Sequence, residues 1–425
     1  MMKLVAVGDI HLGRRPSRLP GELRHRAREL SPAGAWERVV EAAVCDHVQA
    51  VALAGDVVER ENDFFEAYRE LHRGVSRLVE AGIQVFGVVG NHDVQVLPRL
   101  ANQIPDFRLL GRNGQWEFAR IEADAECLTL WGWSVSRPRV TESPCAGMTF
   151  DRQPGPNLGI LHCDRDQSGS AYAPVSSQEL NAAGLDGWLL GHIHKPDALS
   201  TSSLSGYLGS VSGMDPGEPG GHGPWLVTIE DGRVREVEKW VLAPLRWERL
   251  EVDLTGIAEP EEARVRLLDA LRELDAELSA GTWLPEAVGL RVTLAGRSRF
   301  GEIALALFSQ EDREHIYTGD GGTYYFIERL EAATQAEISL EDLAVRSDPP
   351  GLLARQLLLL DRPSDDPDRQ MLLAEARRRL GTRSRDARWN GLRLQAPDEE
   401  AAAEWLRCSG ALLLEKMLAQ PEATA

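Results

Sequence analysis

The feature that most constrains this chain is a rhythm: short apolar runs alternate with longer stretches of helical spacing. The runs are KLVAV (3–7), AVALA (50–54) and IQVFGVV (83–89). Between them, residues 35–48 place Trp36, Val39, Val40, Ala43 and Val44 on one helical face, and 64–80 repeats the pattern. Strands that are apolar on both faces belong in a covered sheet, and βαβα alternation of this length builds a largely parallel one. A hairpin pair is expected at 116–122 and 127–133. Further strands are expected at 158–162, 187–190, 204–208, 224–229 and 234–240. The fold class is therefore α/β, with a layered first domain over 1–245.

Beyond that point the texture changes. WERLEVDL (247–254), GLRVTLAG (289–296) and TYYFIERL (323–330) read as strands around a charged helix near 260–278, a small α/β capping domain over 246–335. Residues 336–425 form a helical C-terminal region rich in Leu, Ala and Arg, with breaks at DPPG (348–351) and RPSDDPD (362–368).

Five of the expected strands of the first domain stop in polar residues. The stops are Asp9-Ile10-His11, Gly55-Asp56, Gly90-Asn91-His92-Asp93, His162 and Gly191-His192-Ile193-His194. In open α/β sheets the ligand crevice lies outside the carboxyl ends of the strands, so the five groups can converge there. Asp-x-His and Gly-Asp arise often by chance, and a lone strand-end His such as His162 is usually a hydrogen-bonded core residue. All five groups in order, each directly after a β run, point to one metal site. His, Asp and Asn without cysteine suit two hard or borderline divalent ions, manganese first, with iron or magnesium as alternatives. Two ions about 3.5–4 Å apart can hold a hydroxide between them and neutralise a phosphoryl oxygen.

Net charge is 47 − 66 = −19, which excludes a simple nucleic-acid coat protein but not an enzyme acting on phosphodiesters. Residues 13–28 concentrate six arginines, Arg14, Arg15, Arg18, Arg24, Arg26 and Arg28, against one glutamate. They read either as a solvated loop or as a phosphate-contacting rim. The five cysteines are scattered and odd in number, without a CxxC pair, which fits a reduced, cytoplasmic setting. The start MMKLVAVGDIHLG does not read as a signal peptide, and no apolar run approaches the ~20 residues of a membrane span.

The ordered set D-x-H, GD, GNHD, H and GHxH resembles the calcineurin-like metallophosphoesterase superfamily. DIHLG (9–13), GNHD and the two extra domains most resemble the SbcD-type exonuclease subunits of DNA double-strand-break repair. The resemblance implies a layered metallophosphoesterase sandwich holding two divalent metals. Asp9, His11 and His194 would hold one ion, Asn91, His162 and His192 the other, and Asp56 would bridge them. His92 would protonate the leaving oxygen and Asp93 would orient it. The segment at 207–227 resembles the family's Gly-Ser stretch beside the substrate path, making Ser210 a DNA-contact candidate with Arg14, Arg15 and Arg18. The implied function is a DNA nuclease subunit in repair. Its implied partners are DNA and a coiled-coil, SbcC-type ABC ATPase gripped through the C-terminal helices, and a homodimer is consistent with it. Two alternatives stay open: a small-molecule phosphoesterase acting on cyclic nucleotides or nucleotide pyrophosphates, and a non-catalytic module of the same fold. The terminal helix at 398–418, with Trp405, Leu406, Leu412, Leu413, Met417 and Leu418, packs either on its own domain or on a partner.

Overall fold

A computed structural model describes residues 1–298, 300–308, 312, 315–335, 339–384 and 398–418. Its first sheet joins β1 (Met2–Val7), β2 (Ala50–Leu53), β3 (Gln84–Gly87) and β4 (Phe107–Leu109) in parallel. Antiparallel β10 (Trp225–Glu230) and β11 (Arg233–Lys239) extend it beyond β1, giving the order β11-β10-β1-β2-β3-β4. The second sheet has the order β5-β6-β7-β8-β9. It contains the expected hairpin, β5 (Glu117–Ala123) with β6 (Glu126–Trp133), followed by parallel β7 (Asn157–His162), β8 (Gly187–Gly191) and β9 (Ser205–Tyr207).

The period-2 alternation of β1 shows how the layers are assigned. Val5 and Val7 face a core shared with helices α1 (Pro32–Cys45) and α2 (Phe64–Glu80). Met2, Leu4 and Ala6 face a second core, which includes Leu128 and Leu130 of β6, Leu158 and Ile160 of β7, and Leu189 of β8. The two sheets are therefore packed face to face. The outer side of the second sheet is covered around Trp131, Trp188, Leu190 and Phe150. Helix α1 starts where Ser31 accepts the Ala33 N–H and Pro32 occupies the first turn, the expected N-terminal chemistry.

The arginine-rich segment is not a free loop. It holds a 3-10 turn, Gly21–Arg26, whose Leu23 is buried with Leu19 and Leu30 against Trp247 and Phe326. Those partners belong to a third sheet of β12 (Leu245–Asp253), β13 (Ala287–Ala295), β14 (Tyr317–Thr318) and β15 (Tyr324–Ala332), in the order β12-β13-β15-β14.

The described residues fall into two compact units. One comprises Met1–Val252, Arg264–Thr293 and Ala306–Glu331; the other gathers Asp253–Ala263, Leu294–Leu305 and the chain from Ala332 on. The second unit has its own small core of Leu357, Leu360, Leu373, Ala402, Ala403 and Leu414. The DPPG break is a helix start: Asp348 caps Gly351 N–H and Pro349 opens the helix Pro349–Leu358. The terminal helix Glu399–Leu418 turns Ala402, Ala403 and Leu414 inward, while Trp405, Leu412, Leu413 and Leu418 are exposed. No helix among the described residues is long and apolar enough to cross a membrane.

One contact tests how α1 and α2 fit together. Trp36 Nε1–H donates to the Glu70 carbonyl at 3.3 Å, and a Cβ on Gly74 would come within 2.2 Å of that nitrogen. In Gly74→Ala the helix-propensity gain of about 1 kcal/mol is set against an overpacking cost of about 1–3 kcal/mol. The expected net effect is destabilisation, read as a lower urea midpoint at unchanged slope. A raised midpoint would show that α1 and α2 are not locked at this point.

Candidate metal centre

The strand ends of the two sheets are tied together through their backbones. The N–H groups of Ile10 and His11 donate to the Asp56 carbonyl at 3.1 and 2.9 Å, and the Val211 N–H donates to that of Asp9 at 3.1 Å. Three candidate ligands, His11, Asp56 and His192, have φ of 57°, 45° and 103°. Left-handed backbone at a non-glycine residue costs of order 1–3 kcal/mol, so the neighbouring strands must hold these turns in place. The glycine at 90 also has a specific reason, since a Cβ there would lie 2.2 Å from Asp56 Oδ1.

The side chains then gather into two groups. Donor atoms of Asp9, His11 and His194 lie within 4.8 Å of one another, as do those of Asp56, His162 and His192. Asn91 joins the second group, its Oδ1 lying 3.0 Å from both His162 Nε2 and His192 Nδ1. Asp56 faces both groups, with Oδ2 3.3 Å from His162 Nε2 and 4.0 Å from His11 Nε2. Its Oδ1 accepts the His92 backbone N–H at 2.9 Å, and Asp9 Oδ1 accepts that of His192 at 2.9 Å.

A ring of partners missing from the sequence reading orients the imidazoles. His162 Nδ1–H donates to the Ala54 carbonyl at 3.0 Å, and His194 Nδ1 lies 2.7 Å from Glu218 Oε1. His192 Nε2 is 3.1 Å from Asp164 Oδ1. His11 Nδ1 is 2.8 Å from Glu59 Oε2, an ion-pair contact off the ideal hydrogen-bond line. Each ring is held by one nitrogen, so Nε2 of His11, His162 and His194 and Nδ1 of His192 turn their lone pairs inward. Glu59 and Asp164 follow Asp56 and His162 within three residues, a proximity that could have flagged them. Glu218 lies in the Gly-Ser stretch and carried no signal.

This donor set fits two divalent ions. Four oriented imidazoles, two buried carboxylates and one amide oxygen converge with no thiolate among them, and Asp56 is placed to serve both groups.

Other expectations need correction. Asp93 does not orient His92: it is fully buried, accepting Val57 N–H (2.7 Å) on one oxygen and Gly90 N–H (2.8 Å) on the other. Its carboxylate instead ties together the loops after β2 and β3. His92 itself is exposed beside His11, ring centroids 5.1 Å apart, and its Nδ1–H donates to the Glu59 carbonyl at 3.0 Å. Ser210, offered as a DNA contact, is 1% exposed and spends its hydroxyl on the Ser212 carbonyl (2.9 Å) and His222 Nδ1 (3.0 Å). Arg26 and Arg28 pair closely with Glu286 and Glu70 and serve the fold, whereas Arg18 is largely exposed and lies 3.9 Å from Glu328. Arg14 and Arg15 do border the site but are shared with acids, Arg14 with Asp215 (3.6 Å) and Glu59 (3.9 Å), Arg15 with Glu66 (3.6 Å).

Residues 2–196 match the calcineurin-like phosphoesterase family, and 247–335 match the middle domain of the metallophosphoesterase YhaO. This chain belongs to the calcineurin-like phosphoesterase superfamily. It is 26% identical over 253 residues to the uncharacterized metallophosphoesterase YhaO of Bacillus subtilis, covering 56% of this chain and 59% of that one. It is 31% identical over 114 residues to the DNA double-strand break repair protein Mre11 of Methanosarcina mazei, covering 27% and 18%. The Mre11 of Methanopyrus kandleri is 24% identical over 294 residues, covering 63% and 62%. The chain thus spans less than two thirds of the length of each of these relatives.

The carboxylates and imidazoles of the site shift one another's protonation. Burial pushes the Asp56 carboxyl up, but His162, His11 and the His92 N–H outweigh it and hold it well below the usual range. Burial opposes the charged form of His162 as well, yet Asp56 and Asp9 push it up to about 9. His194 is raised too, the Glu218 hydrogen bond overcoming burial, whereas burial and the nearby His162 lower His192. Burial, reinforced by the Asp56 charge, pushes Asp93 up to about 7.

Two outcomes follow from this arrangement. A proton on His162 below pH of about 9 occupies the lone pair that an ion needs. Manganese affinity should therefore rise with pH toward that value, and binding should release protons, measured by titration calorimetry in buffers of different ionisation heat. Affinity independent of pH between about 6 and 8 would contradict the assignment. Glu218→Gln keeps the shape but removes the charge behind His194. It should weaken manganese binding about 10-fold, the low end for such partners, and an unchanged isotherm would make Glu218 a bystander.

Proposed function

We propose that this phosphoesterase hydrolyses DNA phosphodiesters as a nuclease subunit in DNA repair, using two manganese ions. The observation that carries the reading is the seven-residue donor cluster with His92 exposed at its edge. Support for DNA as substrate comes from similarity to two proteins named for double-strand break repair. Asp9, His11 and His194 would hold one ion, Asn91, His162 and His192 the other, with Asp56 between them. When bound, the ions supply Lewis-acid stabilisation of the phosphoryl oxygens.

The chain's own residues do the rest. His92 Nδ1–H is committed to the Glu59 carbonyl, which leaves Nε2 to carry a proton to the departing oxygen. Beside it lies a cleft of about 470 Å³ lined by Gly13, Arg14, Arg15, Glu59, Arg60 and Asp63, where the arginines can meet phosphates. The third group of potential ligands, His11, Asp56 and His92, makes the role of His92 a question of metal content. An ABC-type ATPase partner has an available surface in the exposed Trp405, Leu412 and Leu413. The free cysteines suit a cytoplasmic setting.

A second reading, a small-molecule nucleotide phosphoesterase, is favoured by the acids that share Arg14 and Arg15 and lessen the pull on a polyanion. The purified protein with manganese should degrade linear duplex or single-stranded DNA as well as a generic phosphodiester. In His92→Asn the rate should fall by ~10²–10⁴-fold with metal content retained. Loss of metal in that variant would make His92 a ligand, and cleavage of the small ester without any action on DNA would favour the second reading.

A further inference from the structure

Phe65 is the most exposed large apolar side chain among the described residues, at 85%. It is the second residue of α2, and its chain neighbours reach the proposed catalytic cleft. Asp63, two residues earlier, lines that cleft, and a Cβ on Gly13 would lie 2.6 Å from Asp63 Oδ2. Glu66, the next residue, is 3.6 Å from Arg15. Glu59 on the same wall touches His11, and its carbonyl holds His92. The ring is braced from behind: Phe65 meets Phe64 edge to face (5.4 Å, 89°), and Phe64 stacks on Tyr68 (6.4 Å, 11°) beneath Arg99 (4.9 Å).

A single exposed apolar side chain is ordinary on a protein surface; what sets Phe65 apart is its bracing by Phe64 close in the chain to a cleft that arginines line. The rim residues Arg15, Arg60 and Asp63, and Glu66 paired with Arg15, are charged. The core of a protein–protein contact is depleted of charge, which disfavours a second copy of the chain here. Single-stranded nucleic acid is gripped by the opposite mixture, aromatic faces for the bases and arginines for the phosphates. Arg15 and Arg60 are both largely exposed.

We propose that Phe65 is a nucleobase platform: one base of the bound strand stacks on its ring while Arg15 and Arg60 meet the adjoining phosphates. This deepens the DNA reading above and rests on it. Stacking tolerates any base because every base has a π-face, so the platform would position a strand without reading its sequence.

The test pairs the residue with the base it would hold. Oligothymidylates carrying one abasic residue at successive positions are assayed with manganese against wild type, Phe65→Ala and Phe65→Trp. In wild type, one abasic position should raise KM by roughly 5–140-fold, the fold equivalent of one stacked base. In Phe65→Ala the intact oligonucleotide should suffer the same rise and the abasic penalty at that position should vanish. Phe65→Trp should restore it. An abasic penalty equal in wild type and Phe65→Ala overturns the platform while leaving the nuclease reading intact. No action of wild type on any oligonucleotide, with a generic phosphodiester still cleaved, overturns both. If Phe65→Ala instead converts a dimer to a monomer in sedimentation without any base-dependent loss, the ring belongs to a self-association surface and the proposal fails.

Discussion

Asp56 lies where the constraints on the first unit meet. Its carbonyl accepts two N–H groups from the end of β1, and one carboxylate oxygen accepts the N–H of His92 after β3. The other oxygen reaches His162 at the end of β7 and turns toward His11. A buried carboxylate would ordinarily take up a proton, because burial penalises charge. Here the imidazoles reverse that preference, so the negative charge is retained and two stacked sheets are drawn to one point. The left-handed turns at His11, Asp56 and His192 are the backbone strain needed to bring these side chains to the strand ends.

Around this point the protein accumulates acid. Glu59, Asp164 and Glu218 stand behind His11, His192 and His194, in addition to Asp9 and Asp56 in front. Such an excess of carboxylates suits a centre meant to hold several positive charges, and each outer acid also fixes which nitrogen of its imidazole faces inward. Asp93 has a different use: it is a buried staple between two loops, and its proximity to Asp56 explains why its carboxyl is pushed up.

The same acidity shapes the approach to the site. In a chain of net charge −19, the arginines that follow His11 are the local exception, yet most are already bound to carboxylates. Exposed ion pairs are worth little and exchange readily, so Arg14 and Arg15 can leave Asp215 and Glu66 for a phosphate. Arg26 and Arg28, with closer contacts to Glu286 and Glu70, are less free. Leu19 and Leu23 pin this segment onto the third sheet, which gives the rim a fixed position.

Much of this was legible in the sequence because it is local. Strand and helix periods and the polar stops after five of the strands are one-dimensional patterns, and they pointed to the seven side chains that the fold gathers at one place. The roles of long-range partners were not legible, because hydrogen bonds join residues whose proximity no period encodes. Asp93 neighbours His92 in the chain, but its oxygens point to Val57 and Gly90, so the orienting role that the resemblance implied does not hold. Glu218 stands 24 residues from His194 in a glycine-rich stretch, and only the fold sets its oxygen against that ring. Ser210 lies in the Gly-Ser stretch but faces inward, because burial is decided by packing rather than by residue type. Composition and periodicity determined the layers and the chemistry available at their edge; tertiary structure decided which atom of each side chain faces the centre.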